Sequence, residues 1–182
     1  MTLDHVRCAL RTIHEIQYVT MATVCPGGEA IPWNTPVYTA FDSAYNFFWV
    51  SDRESQHSTN IRANPHVFLA MYDSTIPEGT GARKGVYIQA KARELVDREE
   101  IIRAHKLVAG RSGKAPRSAD CYSGDMLGRL YVAMPDRLWV NDTLKRNGIR
   151  VDGRVEVDLT AIRAASGFGD SQNRATTSIL SN

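Results

Sequence analysis

A cluster of adjacent polar side chains forms the group in this sequence whose residue types are best suited to binding chemistry. Ser55, Gln56, His57 and Ser58 follow the apolar run Phe47–Ser51 after a short polar turn. We predict that the apolar run is a buried strand and that the polar group opens a short helix. The first backbone N–H groups of a helix have no intrahelical partners and lie at the positive end of its dipole, so they attract anions. The pattern is typical of a phosphate site, and the alternative is an ordinary cap in which Ser55 bonds its own helix.

A further set of candidate ligand contacts lies on a strand that is interrupted by prolines. The predicted strand Tyr18–Val24 leads into the turn Cys25–Gly28, and the return strand Glu29–Phe41 contains Pro32 and Pro36. Because proline donates no backbone hydrogen bond, this return strand must have one side without a strand neighbour. Such an edge, with Asn and Thr between the prolines, offers hydrogen bonds to a flat polar ligand. A plain edge strand that is protected against aggregation is the alternative.

The composition limits the kind of protein that this chain can be. Its 182 residues, 43% of them hydrophobic, suffice for one sizeable core, and a net charge of +2 gives no broad basic face for nucleic acid. No run of about 18 apolar residues is present to span a bilayer. Asp4 and polar neighbours stand where a signal peptide would have its apolar core. We therefore expect a cytoplasmic protein of one domain, with neither nucleic acid nor a membrane as its partner.

The cysteines and histidines near the N-terminus do not follow the spacing of metal ligands. Cys8, Cys25 and Cys121 are odd in number and far apart, as free thiols in a reducing compartment would be. His5 and His14 do not have a metal-ligand spacing on a helix, so we expect both to be solvated. The sequence predicts no metal site and identifies no catalytic residue.

The rest of the chain predicts short strands with helices at the margins. The predicted elements are a helix over 3–16, strands at His66–Tyr72, Gly85–Val96, Arg129–Met134, Arg137–Val140 and Arg150–Leu159, a helix at Asp97–Ala109, and a polar surface loop at Gly110–Gly128. We expect His105 to be a partly exposed helix residue, residues 1–163 to form the single domain, and residues 164–182 to be a flexible tail. Strands without βαβ alternation, and without a GxGxxG motif, favour an antiparallel barrel or sandwich.

Several short motifs occur in an order and spacing that resemble the pyridoxamine 5'-phosphate oxidase-like, FMN-binding split-barrel family. They are YVTMATV at Tyr18–Val24, the Pro-Gly-Gly turn, FFWVS at Phe47–Ser51, SQH at Ser55–His57, NIRANPHV at Asn60–Val67, GVYIQAKAREL at Gly85–Leu95 and RLWV at Arg137–Val140. The resemblance extends from Tyr18 to Leu159. It implies a mainly β fold, a six-stranded antiparallel split β-barrel of Greek-key type with short flanking helices. It also implies a homodimer with one FMN in each of two clefts between the subunits.

The same resemblance implies which residues contact the cofactor. They are Asn34, Thr35, Pro36 and Val37 along the flavin ring, Val50 and Ser51 at the ribityl chain or phosphate, Ser55, Gln56 and His57 at the phosphate, Lys84 before the strand that closes the cleft, and Trp139 from the other subunit. His57 departs from the pattern because it stands where the family commonly has lysine. A neutral imidazole brings a hydrogen bond without a full charge, although the phosphate itself would favour protonation of His57. Arg53, Arg83 or Lys84 could supply the missing charge.

The function implied by the resemblance is broader than that of one enzyme. We expect an FMN-dependent oxidoreductase that acts on a small organic molecule by hydride or electron transfer at the flavin. The alternatives are a module that binds flavin or heme without turnover, and a deazaflavin-dependent reductase. Pyridoxamine 5'-phosphate oxidase activity itself is not expected, because the family's C-terminal segment for the substrate phosphate has no counterpart after Trp139. Trp33 and Trp49 are expected to be core residues, and the alternative is that either one touches the flavin ring.

Overall fold

The computed structural model describes residues 2–27, 29–77 and 85–165. The helices are α1 (Leu3–Glu15), α2 (Gln56–Ala63), α3 (Arg98–Arg111) and a short 3₁₀ helix (Ala119–Tyr122). The strands are β1 (Tyr18–Val24), β2 (Pro32–Tyr38), β3 (Ala40–Phe41), β4 (Phe47–Asp52), β5 (His66–Tyr72), β6 (Gly85–Glu94), β7 (Gly128–Arg146) and β8 (Ile149–Val157). Residues 159–165 are helical as well. Lys84 and most of the predicted flexible tail, residues 166–182, lie outside the described residues.

The strands form one antiparallel sheet that closes into a barrel. They are hydrogen-bonded in the order β2-β1-β5-β6-β7-β4-β3, and β8 pairs with β7. Only Thr39 separates β2 from β3. The strands at the two ends of the hydrogen-bonded order are therefore consecutive in the chain, and this continuity closes the sheet. With β2 and β3 taken as one strand, six strands surround the barrel. The predicted mainly β, antiparallel barrel with flanking helices is therefore confirmed.

Two meanders of consecutive strands make up this barrel and meet along two seams. The first meander runs from β1 to β4 and the second from β5 to β8. At one seam the β1 residues Thr20–Ala22 pair with Phe68–Ala70 of β5. At the other seam all of β4 pairs with the first residues of β7. Strands β1 and β4, which lead into β2 and α2, each lie at one of these seams.

Strand β7 is one long strand, whereas the sequence predicts two strands interrupted at Pro135. The pairing with β6 shifts register between Gln89 and Ala90, where Gln89 pairs with Arg137 and Ala90 with Pro135. The extra residue, Asp136, is accommodated as a β-bulge, and a bulge tolerates a proline that cannot donate a hydrogen bond. The prediction of two separate strands is therefore wrong, because the bulge at Asp136 lets β7 continue its pairing with β6.

The core consists of two clusters on opposite sides of the sheet. The larger cluster fills the barrel and receives the buried face of α1. Its largest members include Trp49, Tyr131, Met21, Leu69 and Ile88. The smaller cluster packs α3 and the 3₁₀ helix against the outside of β7. No helix among the described residues is long and apolar enough to cross a membrane.

Part of the segment predicted as a polar surface loop, at Ala119–Tyr122, is packed into the smaller cluster. Tyr122 is buried there, and its hydroxyl lies 2.7 Å from Nε2 of His105, which is also buried. The backbone N–H of Arg117 donates to Nδ1 of the same imidazole at 3.1 Å. The expectation of a partly exposed His105 is therefore wrong. Residues 112–118 and 124–127 are exposed, as predicted for a surface loop, whereas Ala119 and Tyr122 are buried. The imidazole ring of His105 contacts both Arg117 and Tyr122, and it thereby joins α3 to the segment that follows it.

The N-terminal helix also differs in detail from its prediction. It ends at Glu15, one residue before the predicted boundary. His5, expected to be solvated, lies with Nε2 3.0 Å from a carboxylate oxygen of Asp142 on β7. The side chain of His5 is only 17% exposed, so this contact anchors the start of α1 to the barrel.

Candidate cofactor site

The site begins where β4 passes into α2. The alternation of β4 buries Phe47 and Trp49 in the barrel and leaves Val50 on the outside. After the strand, the backbone N–H of Glu54 donates to the carboxylate of Asp52 at 2.8 Å, which forms the polar turn. The N-cap residue is Ser55, in an extended conformation, and no side chain caps the helix. The first amides of α2 therefore lack the side-chain acceptor that most helix starts have.

Four side chains at this helix start form a hydrogen-bonded group, which we call the serine–histidine cluster: Ser51, Ser55, His57 and Ser58. The hydroxyl of Ser51 lies 2.6 Å from Nε2 of His57, and that of Ser55 lies 3.2 Å from the same nitrogen. Ser55 donates to Ser58 Oγ at 2.9 Å, and Ser58 donates to the carbonyl of Asp52 at 2.8 Å. The alternative of an ordinary cap formed by Ser55 is therefore wrong, since its hydroxyl bonds side chains and not helix amides.

The cluster is polar but carries no full positive charge. His57 is buried, and burial lowers the pKa of its imidazole below the ordinary 6.5 of histidine. The imidazole is therefore neutral at pH 7. Nε of Arg53, one of the cations considered for this site, lies 3.1 Å from Glu54 in an exposed pair. Lys84 and Arg83, the others, are outside the described part of the chain.

A chain of polar contacts joins α2 to the hairpin of β1 and β2. Gln56 donates to the Asn60 side chain at 2.8 Å, and Asn60, which is fully buried, donates to Thr23 on β1 at 2.9 Å. The hydroxyl of Thr23 in turn donates to the carbonyl of Trp33 on β2 at 3.4 Å. The helix start and the predicted flavin strand are therefore held together within one chain. Sequence reasoning missed Thr23 and Asn60, whose only signal is that Asn60 lies one helical turn after Gln56.

Strand β2 has the open edge that its prolines predict. Within the described residues it pairs with β1 alone, in a register that places Pro36 opposite Thr20. Asn34 and Pro36 are exposed, and Thr35 is half-buried. Val37, in contrast, belongs to the core, so only its backbone is available to a ligand. The assignment of these residues to the flavin ring stays a prediction.

The contacts of Trp139 and the outward orientation of Val50 place both side chains away from the serine–histidine cluster. Trp139 is half-buried on the outer face of the sheet, where its ring stacks on Phe68 at 6.3 Å between centroids. The guanidinium of Arg137 lies 4.7 Å above the Trp139 ring. Val50 points away from the barrel interior and is 39% exposed. The assignment of Val50 and Trp139 to the cofactor stays a prediction.

The two tryptophans predicted as core residues have different environments. Trp49 is buried and stacks on Tyr131 at 5.5 Å, which confirms its place in the core. Trp33 is 44% exposed, and its indole N–H donates to Thr35 at 2.8 Å. The core prediction for Trp33 is wrong because β2 extends past the packed interior. Its ring stands beside the polar residues of the open edge.

The closed antiparallel sheet, with α2 following β4, is a split barrel. The chain belongs to the pyridoxamine 5'-phosphate oxidase family, because the model of that family matches residues 7–120, more than half of the 182 residues. The predicted resemblance is therefore confirmed. No curated protein matches the chain.

Solved structures with a similar fold come from proteins with different activities. A heme binding protein from Mycobacterium smegmatis is 16% identical with a TM-score of 0.64, over 90% of this chain and 62% of that one. An F420 reductase is 16% identical with a TM-score of 0.52, over 70% of this chain and 93% of that one. The heme storage protein HutZ from Vibrio cholerae is 18% identical with a TM-score of 0.50, over 71% and 89%. At these identities the similarity establishes the split-barrel fold alone.

Proposed function

We propose that the protein binds FMN at the start of α2 and acts as an oxidoreductase on a small organic molecule. The observation that carries this proposal is the serine–histidine cluster at a helix start without a side-chain cap. Hydroxyl groups and free helix amides are the donors that a phosphate requires. Residues with this chemistry, placed beside an open strand edge, fit the tail and the ring of the same cofactor.

The donors at this helix start can satisfy the hydrogen bonds of a phosphate, but they lack one positive charge. The phosphate of FMN carries nearly two negative charges, and His57 is neutral in the free protein because it is buried. A bound phosphate raises the pKa of the imidazole, so His57 becomes a charged donor on binding. The remaining charge would come from Arg83 or Lys84, or from a second copy of the chain.

The ring would lie along β2, where Asn34 and Thr35 offer polar groups at the open edge. Trp139 would reach it from a second copy, whose outer sheet face carries exposed aromatic side chains. These are Tyr18, Phe68 and Tyr72. An aromatic face of this kind is typical of an interface between subunits. We therefore propose a homodimer in which each cleft uses residues of both chains.

FMN, when bound, supplies the transfer of a hydride or of electrons. The residues of this chain hold the phosphate at α2, orient the ring along β2, and exclude water where the two chains meet. No residue is assigned as a general acid or base. Pyridoxamine 5'-phosphate oxidase activity remains outside the proposal, since the segment that would bind the substrate phosphate has no counterpart in the sequence.

The absorbance spectrum of the freshly purified protein, recorded before and after addition of FMN, tests the cofactor. We expect two flavin bands, in the blue and in the near ultraviolet, together with quenching of FMN fluorescence. A Soret band would favour heme, as in the heme binding relatives of this fold. Tight binding of a deazaflavin without FMN binding would favour a reductase like the F420 relative. A colourless protein that fails to quench FMN fluorescence would exclude the flavin proposal.

Dilution tests the dimer independently of the cofactor's identity. Because each cleft needs both chains, FMN affinity should fall at protein concentrations where light scattering shows dissociation into monomers. FMN binding by the monomer with undiminished affinity would contradict the shared cleft. It would leave the phosphate assignment to α2 intact.

A further inference from the structure

A cavity of about 800 Å³ lies between α1, β3 and α3, and none of its lining residues belongs to the serine–histidine cluster. The wall is formed by His14, Ala40, Phe41, Arg103, Lys106, Leu107, Gly110 and Arg111. Its volume is within the range of about 300–1,000 Å³ that small-molecule pockets occupy. The cavity is therefore large enough for an organic ligand and is separate from the proposed flavin site.

Arg111 builds one wall of this cavity by joining α3 to the end of α1. Its Nη2 donates to the carbonyls of Ile13, His14 and Ile16, at 3.1, 3.0 and 3.0 Å. These contacts satisfy carbonyls that a helix end leaves unpaired. The guanidinium carbon also lies 4.8 Å over the ring of Phe41. Among the described residues, the recorded hydrogen bonds of Arg111 all leave from Nη2, so Nε and Nη1 are available to a ligand.

The charge of the lining is of one sign. Arg103, Lys106 and Arg111 lie on one face of α3, and the described lining contains no carboxylate. The recorded ion pair of Arg103 is with Glu99 at 3.6 Å, between side chains that are 66% and 83% exposed. An exposed pair of this kind is weak and is easily exchanged for a better partner. The cations therefore make this cavity attractive to an anion.

The apolar part of the lining determines what kind of anion fits. Ala40, Phe41 and Leu107 present hydrocarbon surface to the cavity. The ring of His14 meets Phe41 edge to face at 4.9 Å, which keeps this side aromatic. A simple inorganic anion would leave that surface in contact with water. A ligand with a flat apolar body and an acidic group uses both parts of the lining.

We propose that this cavity is a second ligand site, which binds a small aromatic carboxylate. The ring of the ligand packs against Leu107 and the edge of the Phe41 ring, whose faces are covered by Arg111 and Tyr45. Its carboxylate pairs with the guanidinium and ammonium groups of α3. The site is complete within one chain. It goes beyond the proposed flavin function and does not depend on it.

Calorimetric titration of the full-length protein with 1-naphthoate tests the charge. We expect the double variant R103Q/K106Q to bind roughly tenfold more weakly than the unaltered protein. The matched control K145Q/R146Q removes one lysine and one arginine at the exposed end of β7 and should bind as the unaltered protein does. The neutral isostere 1-naphthamide should bind roughly tenfold more weakly than 1-naphthoate to the unaltered protein. Equal affinities of the two double variants, equal affinities of acid and amide, or no binding of 1-naphthoate at millimolar concentration would overturn the proposal.

Gly110→Leu tests the location without a change of charge. A Cβ at Gly110 meets nothing within 4 Å, and the residue is helical, so a leucine can enter the cavity without strain. Leucine also favours the helix more than glycine does. We expect G110L to remain folded, to lose 1-naphthoate binding and to keep FMN binding. Undiminished 1-naphthoate binding by G110L would place the ligand elsewhere and refute the site.

Discussion

The two regions that we propose as ligand sites offer different chemical groups. The serine–histidine cluster offers hydroxyl groups and a neutral imidazole at a helix start, beside an exposed strand. The cavity beside α3 offers three cations and apolar walls within a single chain. The first region has directed donors but no full positive charge, and in the proposed homodimer a second copy of the chain would complete it. Under the two proposals, the first site needs two chains, whereas the cavity is a complete site within one chain and takes a different ligand.

The largest expected effect comes from one added negative charge, which should act on the FMN region and not on the cavity. Ser55→Asp places a carboxylate among the donors of the serine–histidine cluster, where it repels the phosphate. We expect FMN affinity to fall by roughly 100-fold or more, while 1-naphthoate binding at the cavity is unchanged. Fluorescence titration with FMN and calorimetry with 1-naphthoate measure the two affinities. Ser55→Asn, similar in size and uncharged, is the control, and equal FMN affinities of the two variants would remove the phosphate from this helix start.

Arg111→Ala should alter one wall of the cavity and lower the free energy of unfolding. The substitution leaves the carbonyls of Ile13, His14 and Ile16 without their donor and removes the cation above Phe41. We expect a loss of about 3 kcal/mol in the free energy of unfolding, measured by urea denaturation. Arg103→Ala, whose side chain is exposed, should lose less than about 1 kcal/mol. Equal losses would show that Arg111 does not hold α1 against α3.

His57→Ala should weaken FMN binding by about 2 kcal/mol, roughly 30-fold, because it removes a donor that becomes charged on binding. In the free protein burial holds the pKa of His57 below 6.5, and the phosphate raises it in the complex. Binding therefore takes up a proton, and FMN affinity of the unaltered protein should rise as pH falls from about 8 to 6. Riboflavin, which has no phosphate, is the control for this pH dependence. An identical pH profile for H57A would contradict the role of the imidazole.

The smallest effect concerns stability between mildly acidic and neutral pH. Burial lowers the pKa of both His57 and His105 below 6.5 in the folded protein. Above pH 6.5 both histidines are neutral in the folded and in the unfolded chain, so their contribution to the free energy of unfolding is fully present. As pH falls below that value, the unfolded chain takes up protons that the folded protein does not, so stability is lost.

The double variant H57Q/H105Q isolates this contribution. Its melting temperature should change less than that of the unaltered protein as pH falls from about 7 to 5. The carboxylate of Glu100, whose pKa is lowered by its hydrogen bond to Arg93, loses its contribution only below about 4.5. Parallel melting curves of the two proteins from pH 7 to 5 would show that neither histidine is responsible.

The sequence predicts the barrel well because its signals are local. Alternating residues on β1, β5 and β6 identify strands, and the order of short motifs identifies the family. The turn from β4 into α2 is visible because Ser55 and its neighbours are adjacent in the chain. These features depend on residues within a few positions of one another.

The features that sequence reasoning missed arise from residues that are distant in the chain. The cavity joins His14, Phe41 and Arg111, which come from three separate elements. The ring of His105 joins α3 to a segment whose composition is typical of a surface loop. Pro135 interrupts the pattern of β7, yet the bulge at Asp136 keeps the strand continuous. In each case tertiary contacts decide the outcome, so local propensity is not informative.

The two seams of the barrel have a consequence for the order in which the chain folds. Each meander is built from neighbouring strands and can form early, whereas a seam joins segments that are far apart in sequence and carries the larger loop-closure entropy. The seam between β1 and β5 is short, while the seam between β4 and β7 extends over the whole of β4. Trp49 stacks on Tyr131 across this longer seam. Its fluorescence should therefore report the final, slow step of refolding, after circular dichroism has recovered most of the strand signal.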